Sequence, residues 1–440
     1  MSSADAPLTA LSIAEAVAAI ASGALTARAL AEAQLARIAA TDAAIQAWAA
    51  LDPAHVRAEA DRRDAAPARG ALHGIGIGVK DIIATRALPT GYGSAAFAGH
   101  RVLRDADCIA RLHDAGAYVF GKTVTTEVAF MHPGKTRNPW NPAHTPGGSS
   151  SGSAAAVAAG HVGGAIGTQT NGSVIRPAAY CGVVGYKPTL GAISYAGAHP
   201  FSHTLDTIGT FARTVGDAAR VADAISLRPG TLAPRHGATA PRLALLPAFP
   251  WTPVADATRD ALAAAVGKLE RAGAAVQRVT LPAAWRDTPA LLRTIMLAEA
   301  ARHLAGLRAR SASLLSTTLK AALDEGALID AAHYDAALAR RARMIDELAP
   351  LQDACDAFVT PAAPAAAPRG IGTTGDPSCC TLWSLLGAPA IALPMARDAA
   401  GLPLGLQLAG RPGDDARLLG VAAWCEAALP FDGWTGERRD

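Results

Sequence analysis

Four short apolar runs bounded by glycine constrain the fold of this chain more than any other feature. They read GIGIGVKDII, AYVFGKT, GGAIGTQT and GVVGYKPT and lie between residues 74 and 189. Runs of this length between turn residues are typical of buried β-strands, and alanine-rich segments such as 153–159 have the composition of helices. Half of the residues are hydrophobic and 18% are charged, which is enough apolar material for a large core. The pattern predicts one compact α/β domain.

Helix and strand signals divide this single domain, 1–440, into four regions. They are an N-terminal helical region (1–65), a core region (66–230), a β–α–β and helical region (241–350), and closing strands with a C-terminal helix (351–440). Ser12 and Glu15 form a capping-box pattern before one helix, and Thr26 caps a second. RLALL, a helix over 256–271 and AAVQRV predict the β–α–β unit, and GAPAIALPM with GLPLGLQLAG predicts a closing strand pair.

The charge and cysteine patterns exclude several classes of protein. The net charge is +3 and the basic residues are scattered, so no nucleic-acid partner is expected. The six cysteines form no C-x-x-C motif, which is typical of a reduced, cytoplasmic protein. Glu15 interrupts the apolar stretch near the N-terminus, and no uncharged apolar run is strong enough to span a bilayer. Neither a signal peptide nor a membrane partner is therefore expected.

The serine-rich segment TPGGSSSGSAAAVAAG does not fit the standard hydrolase and nucleotide motifs. GSSSG matches a nucleophile elbow centred on Ser150, but an elbow follows a strand, and the preceding NPWNPAHTPG contains three prolines. A P-loop needs a lysine where Ser153 stands. The twelve histidines form no metal-binding motif, and Pro200 interrupts any helix that would align His199 with His203, so no metal site is expected.

Two other segments carry candidate catalytic groups. Lys80 ends an apolar run, and it is either a buried base with a lowered pKa or a surface lysine at a strand end. The segment GTQTNGSVIRPA follows a predicted buried strand. The backbone N–H groups of Thr170, Asn171, Gly172 and Ser173 either form an oxyanion hole or belong to an ordinary Asn-Gly turn. The residues alone leave both pairs of alternatives open.

Together these three segments resemble the amidase signature family. GIGIGVKDII, the serine-rich segment and GTQTNGSVIRPAAYCGVVGYKPT match its three sequence blocks in order, and Ser149 and Ser173 have the family's separation of 24 positions. The segments KTVTTEVAF, HTLDTIGTFARTVGDA and GLPLGLQLAGRPGDDARLL are also similar to the family. The resemblance covers nearly the whole chain, to about Leu419.

The resemblance implies an amidase without metal or cofactor, built on a mixed, largely parallel sheet surrounded by helices. It makes Ser173 the nucleophile, Ser149 the bridging serine with a cis peptide bond before it, and Lys80 the base. The implied reaction hydrolyses the carbon–nitrogen bond of a small, uncharged carboxamide through a seryl acyl-enzyme, with the oxyanion held by N–H groups of residues 170–173. The expected partner is the amide substrate, and a homodimer is the family-level expectation for assembly.

Several departures from the family pattern surround the nucleophile position. Where the family usually has T-D-T-G-G-S-I-R-x-P, this chain has T-Q-T-N-G-S-V-I-R-P: Gln169 replaces the acid, Asn171 replaces a glycine, and Arg176 lies one position later. Gly76 also stands where a proline is common. These changes leave the triad positions intact and put in question how a polar substrate group is recognised. An uncharged aryl or alkyl amide is favoured by the residues near the predicted pocket, which are Phe130, Met131, Trp140, Tyr195, Phe201 and Trp383.

Two alternative functions remain. The first is the glutaminase subunit of a tRNA-dependent amidotransferase, which passes ammonia to a partner. The second, from another class, is a catalytically silent binding or scaffold protein on the same fold. The changed nucleophile segment disfavours the first alternative, and retention of all three triad residues disfavours the second.

Overall fold

A large mixed sheet runs through the protein. The structure is a computed structural model, and it describes residues 8–235 and 240–431. Its strands among these residues are Trp48–Ala50 (β1), Gly76–Lys80 (β2), Tyr118–Thr123 (β3), Gly164–Gln169 (β4), Val184–Lys187 (β5), Thr207–Ala212 (β6), Arg242–Leu245 (β7), Ala275–Arg278 (β8), Ala357–Pro361 (β9), Ala390–Arg397 (β10) and Pro403–Ala409 (β11). Their order in the sheet is β1-β3-β2-β4-β6-β5-β10-β11-β9-β7-β8.

Helices surround this sheet. Those of the described residues are Ile13–Ala21 (α1), Ala27–Ile45 (α2), Pro53–Asp64 (α3), Asp107–Asp114 (α4), Ser151–Ala158 (α5), Ile175–Cys181 (α6), Val215–Ala224 (α7), Asp256–Arg271 (α8), Thr288–His303 (α9), Ala305–Ser311 (α10), Thr317–Ala327 (α11), Ala331–Asp353 (α12), Thr381–Leu385 (α13) and Asp415–Ala428 (α14). None of them combines the length and apolar character that crossing a bilayer requires.

The predicted helix caps are confirmed. Ser12 Oγ accepts a hydrogen bond from Glu15 N (3.1 Å), and the Glu15 carboxylate accepts one from Ser12 N (2.8 Å), which completes a capping box at α1. Thr26 Oγ1 accepts a hydrogen bond from Ala29 N (3.0 Å) at the start of α2. Each bond satisfies an N–H group that the first helical turn leaves without a partner.

Pairing in the sheet is partly parallel and partly antiparallel. Among the described residues, β2/β3, β2/β4, β7/β8 and β7/β9 pair in parallel, and the other six neighbouring pairs are antiparallel. The mixed sheet is confirmed, with a smaller share of parallel pairing than the resemblance implied. The β7–α8–β8 unit and the β10–β11 strand pair lie where the sequence predicts them.

The parallel strands β2 and β4 bring candidate site residues to one edge of the sheet. Val79 pairs with Ile166, so the carboxyl ends of the two strands lie side by side. Lys80 is the last residue of β2, and residues 170–173 follow the end of β4. Functional sites form at this edge of α/β sheets because the loops that leave parallel strands converge there.

Helix α5 packs inside the protein, against β2, β3 and β4. All of its residues are buried, because small side chains let the helix approach the sheet closely. Gly152 is the tightest point: a Cβ there would lie 2.3 Å from both Ala47 O and Val124 N. Both neighbours are backbone atoms, so a side chain at this position would displace the chain around it.

We expect G152A to destabilise the protein strongly. The added methyl group overpacks a buried backbone contact, and the free energy of unfolding should fall by about 1–3 kcal/mol or more, measured by urea denaturation. G216A is the matched control, because Gly216 is also helical and a Cβ at that position would have no neighbour within 4 Å. The control should keep or slightly raise the stability. A G152A protein as stable as wild type would contradict this packing.

Candidate active site

Lys80 is buried, which is one of the two alternatives left open by the sequence. Its side chain is inaccessible to solvent, and Nζ lies 2.7 Å from both Ser149 Oγ and Thr168 Oγ1. Burial holds the pKa of Lys80 well below its usual value, and the negative charge of Asp206 opposes that shift. A lysine in these surroundings is a candidate general base, because it loses its proton far more readily than a solvated lysine.

Ser149 and Ser150 are adjacent but have different surroundings. The peptide bond between Gly148 and Ser149 is cis, as the resemblance implied. Ser149 Oγ faces Lys80, whereas Ser150 Oγ donates to the Thr168 carbonyl (3.1 Å) and accepts from Thr168 N (3.2 Å). Ser150 is completely buried and bound to the backbone of β4, so it is not accessible to a substrate.

Ser173 lies in the turn between β4 and α6, beside these groups. Its carbonyl accepts a hydrogen bond from Ser150 N (3.4 Å), and the residue lines a cavity. Among the hydrogen bonds of residues 8–235 and 240–431, none joins Ser173 Oγ to Ser149 Oγ. Lys80 and Ser149 are therefore in direct contact, while Ser173 is a neighbour whose hydroxyl is not bound to them among the described residues.

The backbone N–H groups of Ser173 and the residues just before it are without a partner among the described residues. In the part of the chain that the structure describes, no hydrogen bond uses the N–H groups of Asn171, Gly172 or Ser173. Thr170 Oγ1 donates to Asp206 (2.6 Å), which holds the first residue of this turn in place. An oxyanion hole requires N–H groups that are held in position before negative charge develops, so the turn has the properties of one.

Gln169, which replaces the acid of the family pattern, caps helix α6. Its Oε1 accepts hydrogen bonds from Val174 N (2.7 Å) and Ile175 N (3.0 Å), and its Nε2 donates to Ser384 Oγ (2.9 Å). Ser384 Oγ in turn donates to the Asn171 carbonyl. Gln169 and Asn171, two residues that differ from the family pattern, are thus connected through Ser384. This connection needs an amide donor, which a carboxylate does not have.

Arg176, the displaced arginine, connects two loops of the site. One terminal nitrogen donates to the Gly148 carbonyl (2.6 Å) and to Thr374 Oγ1 (3.2 Å), and the other donates to the Gly375 carbonyl (3.1 Å). The residue is buried, and burial lowers its pKa. Arg176 therefore fixes the serine-rich loop against the segment before α13.

The cavity beside Ser173 is small and its walls are mostly apolar. Its volume is about 60 Å³. Phe130 and Phe201 form part of the wall, and their rings stack with centroids 5.1 Å apart. Met296 from α9 lines the cavity as well, together with Met131, whose side chain is exposed. Such a space suits a compact group with apolar substituents.

Half of the aromatic and methionine residues expected in the pocket line this cavity, namely Phe130, Met131 and Phe201. The other half have different contacts. Trp140 Nε1 donates to the Cys181 carbonyl (2.7 Å), and Trp383 packs on Phe358 with ring centroids 5.0 Å apart. The hydroxyl of Tyr195 donates to the His199 carbonyl (3.3 Å).

Thr168, Asp206 and Met296 are among the residues of the site that had no role assigned from the sequence. Thr168 and Asp206 lie within segments that resemble the family, which is the signal that could have found them. Met296 lies in a long helical region, where the apolar pattern does not distinguish a residue facing a cavity from one facing the core.

Comparisons with known proteins agree on one family. The family model described as Amidase matches residues 29–419. The A subunit of glutamyl-tRNA(Gln) amidotransferase from Anaeromyxobacter sp. (strain K) is 35% identical and aligns with 95% of this chain and 96% of its own. Native peptide amidase from Stenotrophomonas maltophilia is similar in structure, with a TM-score of 0.81, 32% identity, and coverage of 96% of this chain and 98% of that one. The structure of 6-aminohexanoate cyclic dimer hydrolase with its substrate has a TM-score of 0.86, 25% identity, and coverage of 97% and 98%.

These matches and the fold define the class of protein, an enzyme that hydrolyses amides. The chain belongs to the amidase signature family. The alternative of a catalytically silent scaffold is accordingly not supported.

Proposed function

We propose that the protein hydrolyses a small, uncharged carboxamide to the acid and ammonia or an amine, through an acyl-enzyme on Ser173. The observation that carries this proposal is the buried contact of 2.7 Å between Lys80 Nζ and Ser149 Oγ, next to Ser173 and its cavity. A neutral amine at this place can accept a proton from Ser149, which can accept one from Ser173.

The reaction begins when Ser173 Oγ attacks the amide carbonyl. Its proton passes to Ser149, and the proton of Ser149 passes to Lys80, so Ser173 Oγ must first approach Ser149 Oγ. The developing oxyanion is stabilised by the unpaired N–H groups of residues 171–173. The proton then returns along the same path to the leaving nitrogen. Water finally attacks the acyl group, and the same relay releases the acid and restores Ser173.

The cavity favours an uncharged substrate. Among the described residues that line it, Arg176 is the one that carries a charge, and its terminal nitrogens are bound to Gly148, Thr374 and Gly375. Glutamine would bring a carboxylate and an ammonium group into this space, and each would need a partner when it leaves water. The stacked rings of Phe130 and Phe201 instead suit an aliphatic or aryl group of the substrate.

The glutaminase alternative has one observation in its favour. It is the 35% identity with the A subunit of glutamyl-tRNA(Gln) amidotransferase over 95% of this chain. In that function the protein would release ammonia from glutamine and pass it to a partner protein. The two functions therefore differ in both substrate and requirement for a partner.

A panel of amides separates the two. We expect the purified protein alone to release ammonia from aliphatic and aryl carboxamides and to leave glutamine unreacted, measured with a coupled ammonia assay. Turnover of glutamine, alone or after addition of the other amidotransferase components, with none of the simple amides hydrolysed, would support the glutaminase instead. Light scattering on the same preparation tests the expected homodimer.

A further inference from the structure

Asp206, just before β6, holds together two parts of the site that are distant in sequence. It is buried, and its Oδ1 accepts a hydrogen bond from Thr170 Oγ1 (2.6 Å). Its Oδ2 accepts hydrogen bonds from Phe201 N (2.8 Å) and Ser202 N (2.9 Å). One carboxylate therefore fixes both the turn with the unpaired N–H groups and the loop that supplies a ring to the cavity wall.

Asp206 also lies close to Lys80, at the same end of β4. The residue after it, Thr207, pairs with Gln169, and the neighbouring Thr168 Oγ1 lies 2.7 Å from Lys80 Nζ. Burial raises the pKa of Asp206 to about 6, against the hydrogen bond from Thr170. Burial lowers the pKa of Lys80, and the charge of Asp206 opposes that fall. The two groups are thus electrostatically coupled inside the protein.

The other titratable groups near Lys80 do not compete for this role. Asp81, next along the chain, lies 3.7 Å from Lys122 on β3 and forms an ion pair with it. Burial raises the pKa of Tyr195 well above its usual value, so that residue stays neutral. Helix α5, which packs on the same side, has the sequence SGSAAAVA and carries no charged side chain. Asp206 is the charge that acts on Lys80 in the described residues.

We infer that Asp206 is a positioning residue that couples the proton affinity of Lys80 to the shape of the oxyanion turn. This inference rests on the roles proposed above for Lys80 and Ser173. When the relay has placed a proton on Lys80, the Asp206 carboxylate stabilises the resulting ammonium ion. At the same moment its hydrogen bond to Thr170 holds the turn that must stabilise the oxyanion.

Two variants separate the charge from the hydrogen bond. D206N removes the charge but keeps partners in reach: its oxygen can accept from Phe201 N and Ser202 N, and its amide nitrogen can donate to Thr170 Oγ1. T170V removes the hydroxyl and keeps the charge. The readout is the rate of labelling by a fluorophosphonate probe as a function of pH, which needs no knowledge of the natural substrate.

We expect D206N to move the acidic limb of this profile to lower pH by about one unit. An amine that no longer faces a carboxylate loses its proton more readily, so neutral Lys80 persists to lower pH. T170V should reduce the plateau rate by about tenfold, because the turn is less well held, and should move the limb less than D206N does, because the carboxylate keeps its charge above its own pKa. A purely structural role for Asp206 would lower the rate without moving the limb.

D415N is the matched control. Asp415 is also a buried carboxylate that accepts from a threonine hydroxyl (Thr189 Oγ1, 2.5 Å) and from a backbone N–H group (Thr189 N, 2.8 Å), and it is not among the charges that act on Lys80. The acidic limb of the D415N labelling profile should match that of wild type. A D206N limb that also coincides with wild type would overturn the inference, and so would a T170V limb displaced as far as that of D206N.

K80A separates failure of this inference from failure of the proposed function. A K80A protein labelled as fast as wild type would mean that Lys80 is not the base. If K80A is not labelled and the acidic limb of D206N coincides with that of wild type, the coupling alone is refuted. If D206N does not fold by circular dichroism, D206S replaces it. Serine also removes the charge, so the limb should move in the same direction, and an unmoved limb would count against the coupling.

Discussion

S173A should be inactive on every amide that the wild-type protein hydrolyses, with kcat lower by a factor on the order of 10⁴ or more. Alanine removes the nucleophile, and with it the covalent intermediate that divides one difficult step into two easier ones. The helix and turn around position 173 should stay intact, because no side-chain hydrogen bond of Ser173 in the described residues contributes to them. Ammonia release and circular dichroism on the same preparation measure both effects.

The matched control is S150A, the centre of the G-x-S-x-G pattern. Ser150 Oγ is bound to the backbone of Thr168, so the variant should lose about 1 kcal/mol of stability and keep measurable turnover. Fluorophosphonate should label Ser173. Both serines lie in one tryptic peptide, since no lysine or arginine occurs between residues 138 and 175, so fragmentation must locate the label. A label on Ser150 would show that the nucleophile is misassigned.

K80A and K80R should both abolish turnover. The relay needs a neutral amine, and a guanidinium group cannot lose its proton at usable pH. In the wild-type protein burial lowers the pKa of Lys80, so the lysine becomes protonated only at a pH well below the usual lysine pKa of about 10.4. Activity should therefore be absent at low pH, rise through the lowered pKa, and reach its plateau on the neutral-to-alkaline side.

K187M is the control for burial of a lysine as such. Lys187 is also buried, its Nζ donates to the carbonyls of Pro188 (3.1 Å) and Ala388 (2.5 Å), and burial lowers its pKa to about 8. Methionine should reduce the stability and leave the acidic limb of the activity profile where it is in wild type. An active K80R variant, or a limb displaced in K187M, would show that the base is not Lys80.

Interactions between residues close in sequence were predictable, and those between distant residues were not. The cap at Ser12 and the β7–α8–β8 unit each depend on a short segment whose pattern carries the information. Lys80, Ser149 and Ser173 were assigned their proposed roles because their segments resemble a family. The bonds from Gln169 to Ser384 and from Thr170 to Asp206 join loops that come together only after the sheet has formed. Local patterns do not encode such pairings, and the same holds for the sheet order and the share of parallel strands.

The wall of the cavity has a consequence for how the enzyme can acquire new substrates. Lys80, Ser149 and Ser173 all lie in the first half of the chain, whereas Met296 and Pro377, which face the same cavity, lie in the second half. The residues proposed to carry the chemistry and part of the surface proposed to contact the substrate are thus encoded separately. Mutagenesis confined to α9 and Pro377 can vary the acyl groups that are accepted while leaving Lys80, Ser149 and Ser173 unaltered. Recombination between relatives within this second half offers the same separation to natural selection.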